Sequence, residues 1–256
     1  MRGPIVQACL LGCLLLPSSA AIAERPLAAG IWCNREKSNR LFGAHEDQLV
    51  RSLRRITGFR QLIFAEDGSL SLGDVMDVAP GSLIARQIIF RALGSGKTLI
   101  IEDHSGSQTV VFGQIDLGLD FEDRVLRQKF EIWRLRIDFD DFREIEAPPE
   151  VRQSFDAGFI VMHELLHGIG YEDTRYKEGV GEVEGLVNQV RAELGLPLRD
   201  RYFGEFLQVT SRIATFRLRF RKEIKPAADG HLKRERLDYL FFVHPVKHGR
   251  RWLKQE

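Results

Sequence analysis

The chain predicts an α+β fold: a twisted, mainly antiparallel sheet with one buried helix and additional helices around it. Three observations lead there. The 256 residues are 44% hydrophobic and 29% charged, enough for a real core and too apolar for a disordered polymer. Short strand-like segments recur through the first half of the chain and again near its end. Between them, residues 150–168 are apolar around most of a helical circumference, the mark of a buried helix.

The N-terminus comes first and stands apart. Arg2 is the only charge before Glu24, the run Ile5 to Leu16 is almost wholly apolar, and Ala21-Ile22-Ala23 supplies a small-x-small cleavage pattern. This layout predicts a signal peptide over 1–23, hence an exported protein, periplasmic or secreted. Leu10-Leu11-Gly12-Cys13 offers a lipoprotein-type box as the competing cleavage, which would anchor the chain at Cys13. Loss of the leader removes Cys9 and Cys13 and leaves Cys33, which has no internal disulfide partner. It also leaves 36 basic residues against 36 acidic, so no global field draws the protein to nucleic acid or an anionic membrane. No later stretch runs 18 residues without a charge, and no stable membrane insertion is expected after cleavage.

The elements then follow in order. Leu49, Val50, Leu53 and Ile56 recur at helical spacing in 44–57, and Gly58 ends the run. Asp67-Gly68 is a strong hairpin dipeptide between two short strands in 59–73. Residues 82–93 form a second amphipathic helix, stopped by Gly94-Ser95-Gly96. Strands are expected at 98–103, 109–115 and 130–139. Pro148-Pro149 suits the start of a helix that continues to about residue 168, and another helix covers about 181–194. Residues 213–220 alternate strictly, with Phe216, Leu218 and Phe220 on one face, and 237–243 suits a pairing strand. The expected organisation is a main domain over 24–205 and a β-rich extension over 206–256, packed on the same domain.

One motif carries chemistry. His163-Glu164-Leu165-Leu166-His167 is H-E-x-x-H. On a helix its histidines lie about one turn apart on one side, a separation suited to two positions of a tetrahedral zinc. Glu164 lies about 100° round from His163, able to reach a metal-bound water without ligating the ion. Polar groups in a buried helix need partners, and a metal satisfies all three at once.

On these residues the chain resembles the zincin metallopeptidases. The resemblance implies a zincin-like fold, zinc as cofactor, a protein or peptide substrate, and hydrolysis by metal-activated water with Glu164 as general base. Continuing through Gly170 to Asp173, the pattern H-E-x-x-H-x-x-G-x-x-D is similar to that of snapalysin-type secreted proteases. This implies Asp173 as the third ligand beside His163 and His167, with Gly170 permitting the sharp turn. No methionine follows Met162, so the Met-turn of metzincins has no counterpart.

A second stretch, from Glu184 through Asn188, Arg191, Glu193, Gly195, Pro197 and Arg199 to Tyr202, is similar to the segment after the motif in effector-type bacterial zinc metallopeptidases. On its helix Val183, Val187, Val190 and Leu194 form the apolar stripe, flanked by Glu184, Asn188 and Arg191. Glu182 and Glu193 are expected to face solvent. Glu184 is therefore the alternative third ligand, and a structural pair with Arg191 is its other possible role.

The competing function is an exported non-catalytic binding or scaffold protein with a structural zinc, which takes four protein ligands. Tyr171, Tyr202 or one of His231, His244 and His248 is a candidate to stabilise an oxyanion, and His104 and these three histidines are expected at the surface. Gly94-Ser95-Gly96-Lys97-Thr98 lacks the first glycine of a phosphate loop and precedes a strand. Asp138-Phe139-Asp140-Asp141 lacks calcium-loop spacing and is expected to close a strand in solvent.

Overall fold

Burial follows two sheets, where the sequence suggests one. The computed structural model describes residues 29–36, 39–123, 128–173, 179–209, 213–224 and 234–245. The expected leader with Cys13, together with His231 and His248, lies outside them. In chain order the first half forms β1 (Gly30–Cys33), α1 (Ala44–Thr57), β2 (Ile63–Phe64), β3 (Leu70–Ser71), α2 (Leu83–Leu93), β4 (Thr98–Asp103), β5 (Gly113–Asp123) and β6 (Gln128–Ile137).

The first sheet has the order β1-β4-β6-β5. The β1–β4 and β4–β6 pairs are parallel, and only β5, at the edge, runs antiparallel. Within this sheet parallel pairs outnumber the antiparallel one, whereas the other described strand pairs are antiparallel, as expected. The chain travels from β1 to β4 through α1 and α2, and a helical crossover permits parallel pairing. Leu99, Ile100 and Ile101 are adjacent, not alternating, and all three are buried, as a parallel strand covered on both faces requires.

The helices and the hairpin follow their local signals. Gly58 caps α1 in the left-handed conformation, with φ 79°. Ser82 caps α2 by accepting from the Ala85 N–H. Glu193 is exposed, as expected, and accepts from the Ser82 hydroxyl at 2.5 Å and the Ile84 N–H at 3.1 Å, tying α2 to the helix that follows the motif. The β2–β3 hairpin turns at Asp67-Gly68, where the Asp67 carboxylate accepts the Ser69 N–H.

Strand β5 starts at Gly113, later than expected, because Phe112 adopts a φ of 56° that breaks the extended run. The Asp141 carboxylate accepts the Phe112 N–H at 2.9 Å, and Asp138 accepts those of Gly106 and Ser107. Both acids are buried, which corrects their expected place in solvent: they saturate loop amides that no strand pairs. His104 is likewise drawn in from the surface, 3.2 Å from buried Glu102.

The second half forms β7 (Ile145–Glu146), α3 (Pro149–Ser154), α4 (Ala157–Gly168), α5 (Gly181–Glu193), β8 (Leu198–Arg199), β9 (Glu205–Val209), β10 (Ile213–Ile224) and β11 (Arg234–Pro245). The single helix expected from about 150 to 168 is two. Phe155 leaves helical geometry, and Asp156 starts α4 afresh by accepting the Gly158 and Phe159 N–H groups. The same carboxylate takes the Ser52 hydroxyl at 2.7 Å and pairs with Arg55, so α1 holds the beginning of α4. Helix α4 is buried on nearly every side among α1, α2, α5 and the first sheet.

The second sheet is antiparallel, with β7, β11 and β10 in sequence and both β8 and β9 on β10. Phe216 faces Phe242 and Leu218 faces Leu240 across β10 and β11, as the alternation predicts. Their inner face meets Phe112, Ile145, Val151 and Phe155 in a second apolar cluster. The C-terminal strands thus share a sheet with β7 and a core with the loop before β5. Among the described residues, no helix is long and apolar enough to cross a membrane.

Candidate metal centre

Helix α4 ends at Gly168, one residue past the motif, so His163 and His167 occupy its last two turns. Gly170, with φ 101°, redirects the chain, and the Tyr171 N–H returns to the Leu166 carbonyl at 3.0 Å. That turn brings Asp173 back over the helix end. Asp173 Oδ1 lies 3.3 Å from His163 Nε2, and Oδ2 lies 3.3 Å from His167 Nε2. One ligand atom from each of the three residues falls within 4.8 Å of the others, a group that can hold a metal ion.

The far sides of both imidazoles are occupied. His167 Nδ1 meets the Tyr171 carbonyl at 3.0 Å. His163 Nδ1 meets Glu184 Oε2 at 3.3 Å. Carbonyl and carboxylate partners at Nδ1 favour the tautomer that leaves Nε2 bare toward Asp173, the arrangement metal-binding histidines commonly show. The structure therefore brings both candidate acids to His163, on opposite ring nitrogens. Glu184 is buried on α5, shared between Arg191 and, at 3.3 Å, Arg199. Arg191 also donates to the Ser154 carbonyl and Asn188 Oδ1. The predicted Glu184–Arg191 pair is present, and the contact with His163 spans a distance in sequence that helical phase does not reveal.

Tyr202 completes the enclosure. Its hydroxyl donates to Asp173 Oδ2 at 2.5 Å, and its ring lies parallel to that of His163, 5.8 Å away. Tyr171 has its hydroxyl on Arg91, away from this cluster of contacts, and nothing is described of the His244 side chain.

Charge in the pocket is set by burial and by these contacts. With no metal bound, burial pulls the His163 imidazole down, but the neighbouring Asp173 and Glu184 carboxylates outweigh it and push it up to about 9. His167 is also raised, since its contacts with Asp173 and Glu164 overcome burial. Asp173 is held well below the usual carboxylate range: the two imidazoles and Tyr202 prevail over burial. Glu164, unlike Asp173, is raised, chiefly by burial.

The donor set fits a metal by its own chemistry. Two imidazole nitrogens and a carboxylate oxygen form a donor set that suits a divalent transition-metal ion. Asp173 Oδ1 is buried and has no well-formed hydrogen bond, leaving an anionic lone pair unsatisfied beside the two Nε2 atoms. A cation answers that deficit.

A cavity of about 630 Å³ adjoins His163 and Glu164. Its walls include Phe112 from the loop before β5, Phe159 from α4, and Phe216 and Leu218 from β10, a strand expected only as part of an extension. Comparison with protein-family models, with curated proteins and with solved structures gives no match.

Proposed function

We propose that the chain is a zinc-dependent metallopeptidase that hydrolyses peptide bonds, exported by its N-terminal leader. The observation that carries this reading is the convergence of His163 Nε2, His167 Nε2 and the Asp173 carboxylate, with Glu164 one residue from His163 at the edge of a large cavity. His163, His167 and Asp173 would hold the ion, and Glu184 would orient His163 through Nδ1. Bound zinc supplies Lewis acidity, polarising a carbonyl and making water a nucleophile near neutral pH.

The protein groups do the rest. Glu164, buried and raised in pKa, accepts the proton of the attacking water and passes it to the leaving amine. The Tyr202 hydroxyl donates to Asp173 and so would hold that carboxylate toward the two imidazoles. Three converging ligands beside an open cavity favour this reading over a structural zinc, which takes four.

The test pairs metal content with cleavage of a peptide library. Wild type is expected to hold about one zinc, as is Glu164→Gln, which loses on the order of 10²–10⁴ in rate. His163→Ala is expected to lose the metal. Full zinc in His163→Ala, or a zinc-loaded wild type that cleaves no peptide, would sink the proposal.

A further inference from the structure

The cavity beside the metal cluster has two unlike boundaries. One is apolar, with Phe155, Phe159 and Ile160 facing Phe216 and Leu218. Its volume of about 630 Å³ lies within the range that encloses a small organic ligand and exceeds the needs of one side chain. The other boundary is cationic, with Arg191, Arg199 and Arg201 set against Glu184 and Glu205.

These charges do not cancel. Glu184 serves Arg191 and Arg199 together, and their other bonds go to neutral oxygens of Ser154, Asn188, Arg201 and Tyr202. Glu205 is taken by Arg217 and Arg219. Arg201 acts on Glu205 only through space: its guanidinium makes no direct hydrogen bond, ion pair or ring contact among the described residues, although the residue is only partly exposed. A guanidinium partly withdrawn from water against apolar surface gains most from a carboxylate, which its planar fork binds in bidentate fashion.

We propose that this cavity binds a residue with an apolar side chain and a free carboxylate, paired by Arg201. The inference rests on the peptide-hydrolase reading and narrows it: preferred substrates are peptides cut near an apolar C-terminal end. Phe216 and Leu218 meet the side chain, Arg201 meets the terminal carboxylate, and the scissile carbonyl lies toward Glu164. The C-terminal strands then belong to the substrate site.

Binding of product-like compounds tests this without turnover. N-acetyl-phenylalanine and its amide are titrated calorimetrically into the zinc-loaded full chain. The acid is expected to bind at least about tenfold more tightly than the amide, the usual scale for a hydrogen-bonded charge. Arg201→Gln is expected to erase that difference, and Arg201→Lys to keep part of it, with melting curves confirming that both variants are folded. Undetectable binding of the acid, equal binding of acid and amide, or a difference that survives Arg201→Gln would each overturn the proposal. The last result would place the carboxylate on the metal, which the variant retains. N-acetyl-glutamate amide carries its carboxylate on the side chain. If it binds as tightly as N-acetyl-phenylalanine, the site reads acidic side chains and the C-terminal assignment falls. Acid selectivity without any peptide cleavage would strike only the hydrolase reading, and cleavage without acid selectivity only this one.

Discussion

The two ring nitrogens of His163 face two regions built in different ways. On the Nε2 side, Asp173 arrives on a short turn after α4, its side chain 31% exposed, with one buried oxygen lacking a hydrogen bond. On the Nδ1 side, Glu184 is 1% exposed, with both oxygens already engaged by Arg191, Arg199 and His163 itself. The same functional group is available in one place and saturated in the other. Ligation by Glu184 would require breaking ion pairs inside the core, whereas ligation by Asp173 fills a deficit. Surroundings, more than residue type, separate a ligand from its support.

Metal removal should break the comparison most visibly. A chelator is expected to lower wild-type stability by about 4 kcal/mol where free zinc had stood near 1,000 times its Kd, and to leave Asp173→Ala unmoved, as read by denaturant unfolding. An equal loss in that variant would remove Asp173 from the ligands. On the other side of the ring, Glu184→Ala is expected to cost about 3–5 kcal/mol even without metal, because it strands Arg191 in the core. A loss well under 1 kcal/mol in the same unfolding assay would mean that the buried network does not support α5.

Smaller effects sharpen the contrast. Glu184→Gln keeps the shape and an acceptor oxygen but weakens the hold on Nδ1. Competition with a zinc chelator should show affinity reduced about 10–100-fold while about one zinc is still bound. Loss of binding altogether would make Glu184 a ligand after all. Tyr202→Phe deletes one hydroxyl from Asp173 and should cost about 1 kcal/mol in the metal-free protein. An unchanged unfolding midpoint there would mean that Tyr202 does not hold Asp173 in place.

What the sequence disclosed was whatever neighbours in the chain decide. The α1 and α2 periodicities, the turn at Asp67-Gly68, the inward face of β10 and the H-E-x-x-H pattern each depend on a few adjacent residues. The spacing from His167 to Asp173 belongs with them, since Gly170 alone permits the return. The rest depended on contacts remote in sequence. Parallel pairing of β1 with β4 follows from how two intervening helices cross over. Asp156 starts α4 with the help of Ser52 and Arg55, far upstream. The cavity wall at Phe216 exists because β7 pairs with β11 and carries the last strands back to Phe112. Helical phase singled out Glu184, but its meeting with His163 required α5 to dock on α4.

The end of α4 at Gly168 has one more consequence. Aligned peptide dipoles give a helix a negative pole at its C-terminus, felt mainly within the last turn. His167 lies in that turn, so an ion held there gains attraction from backbone carbonyls as well as from its ligands. Such a charge is worth about 0.3–1 kcal/mol near a helix end, and more where water is excluded. At the opposite pole the Asp156 carboxylate caps the first N–H groups. The buried helix therefore carries complementary charge at both ends: a fixed anion where it begins and a place for a cation where it stops.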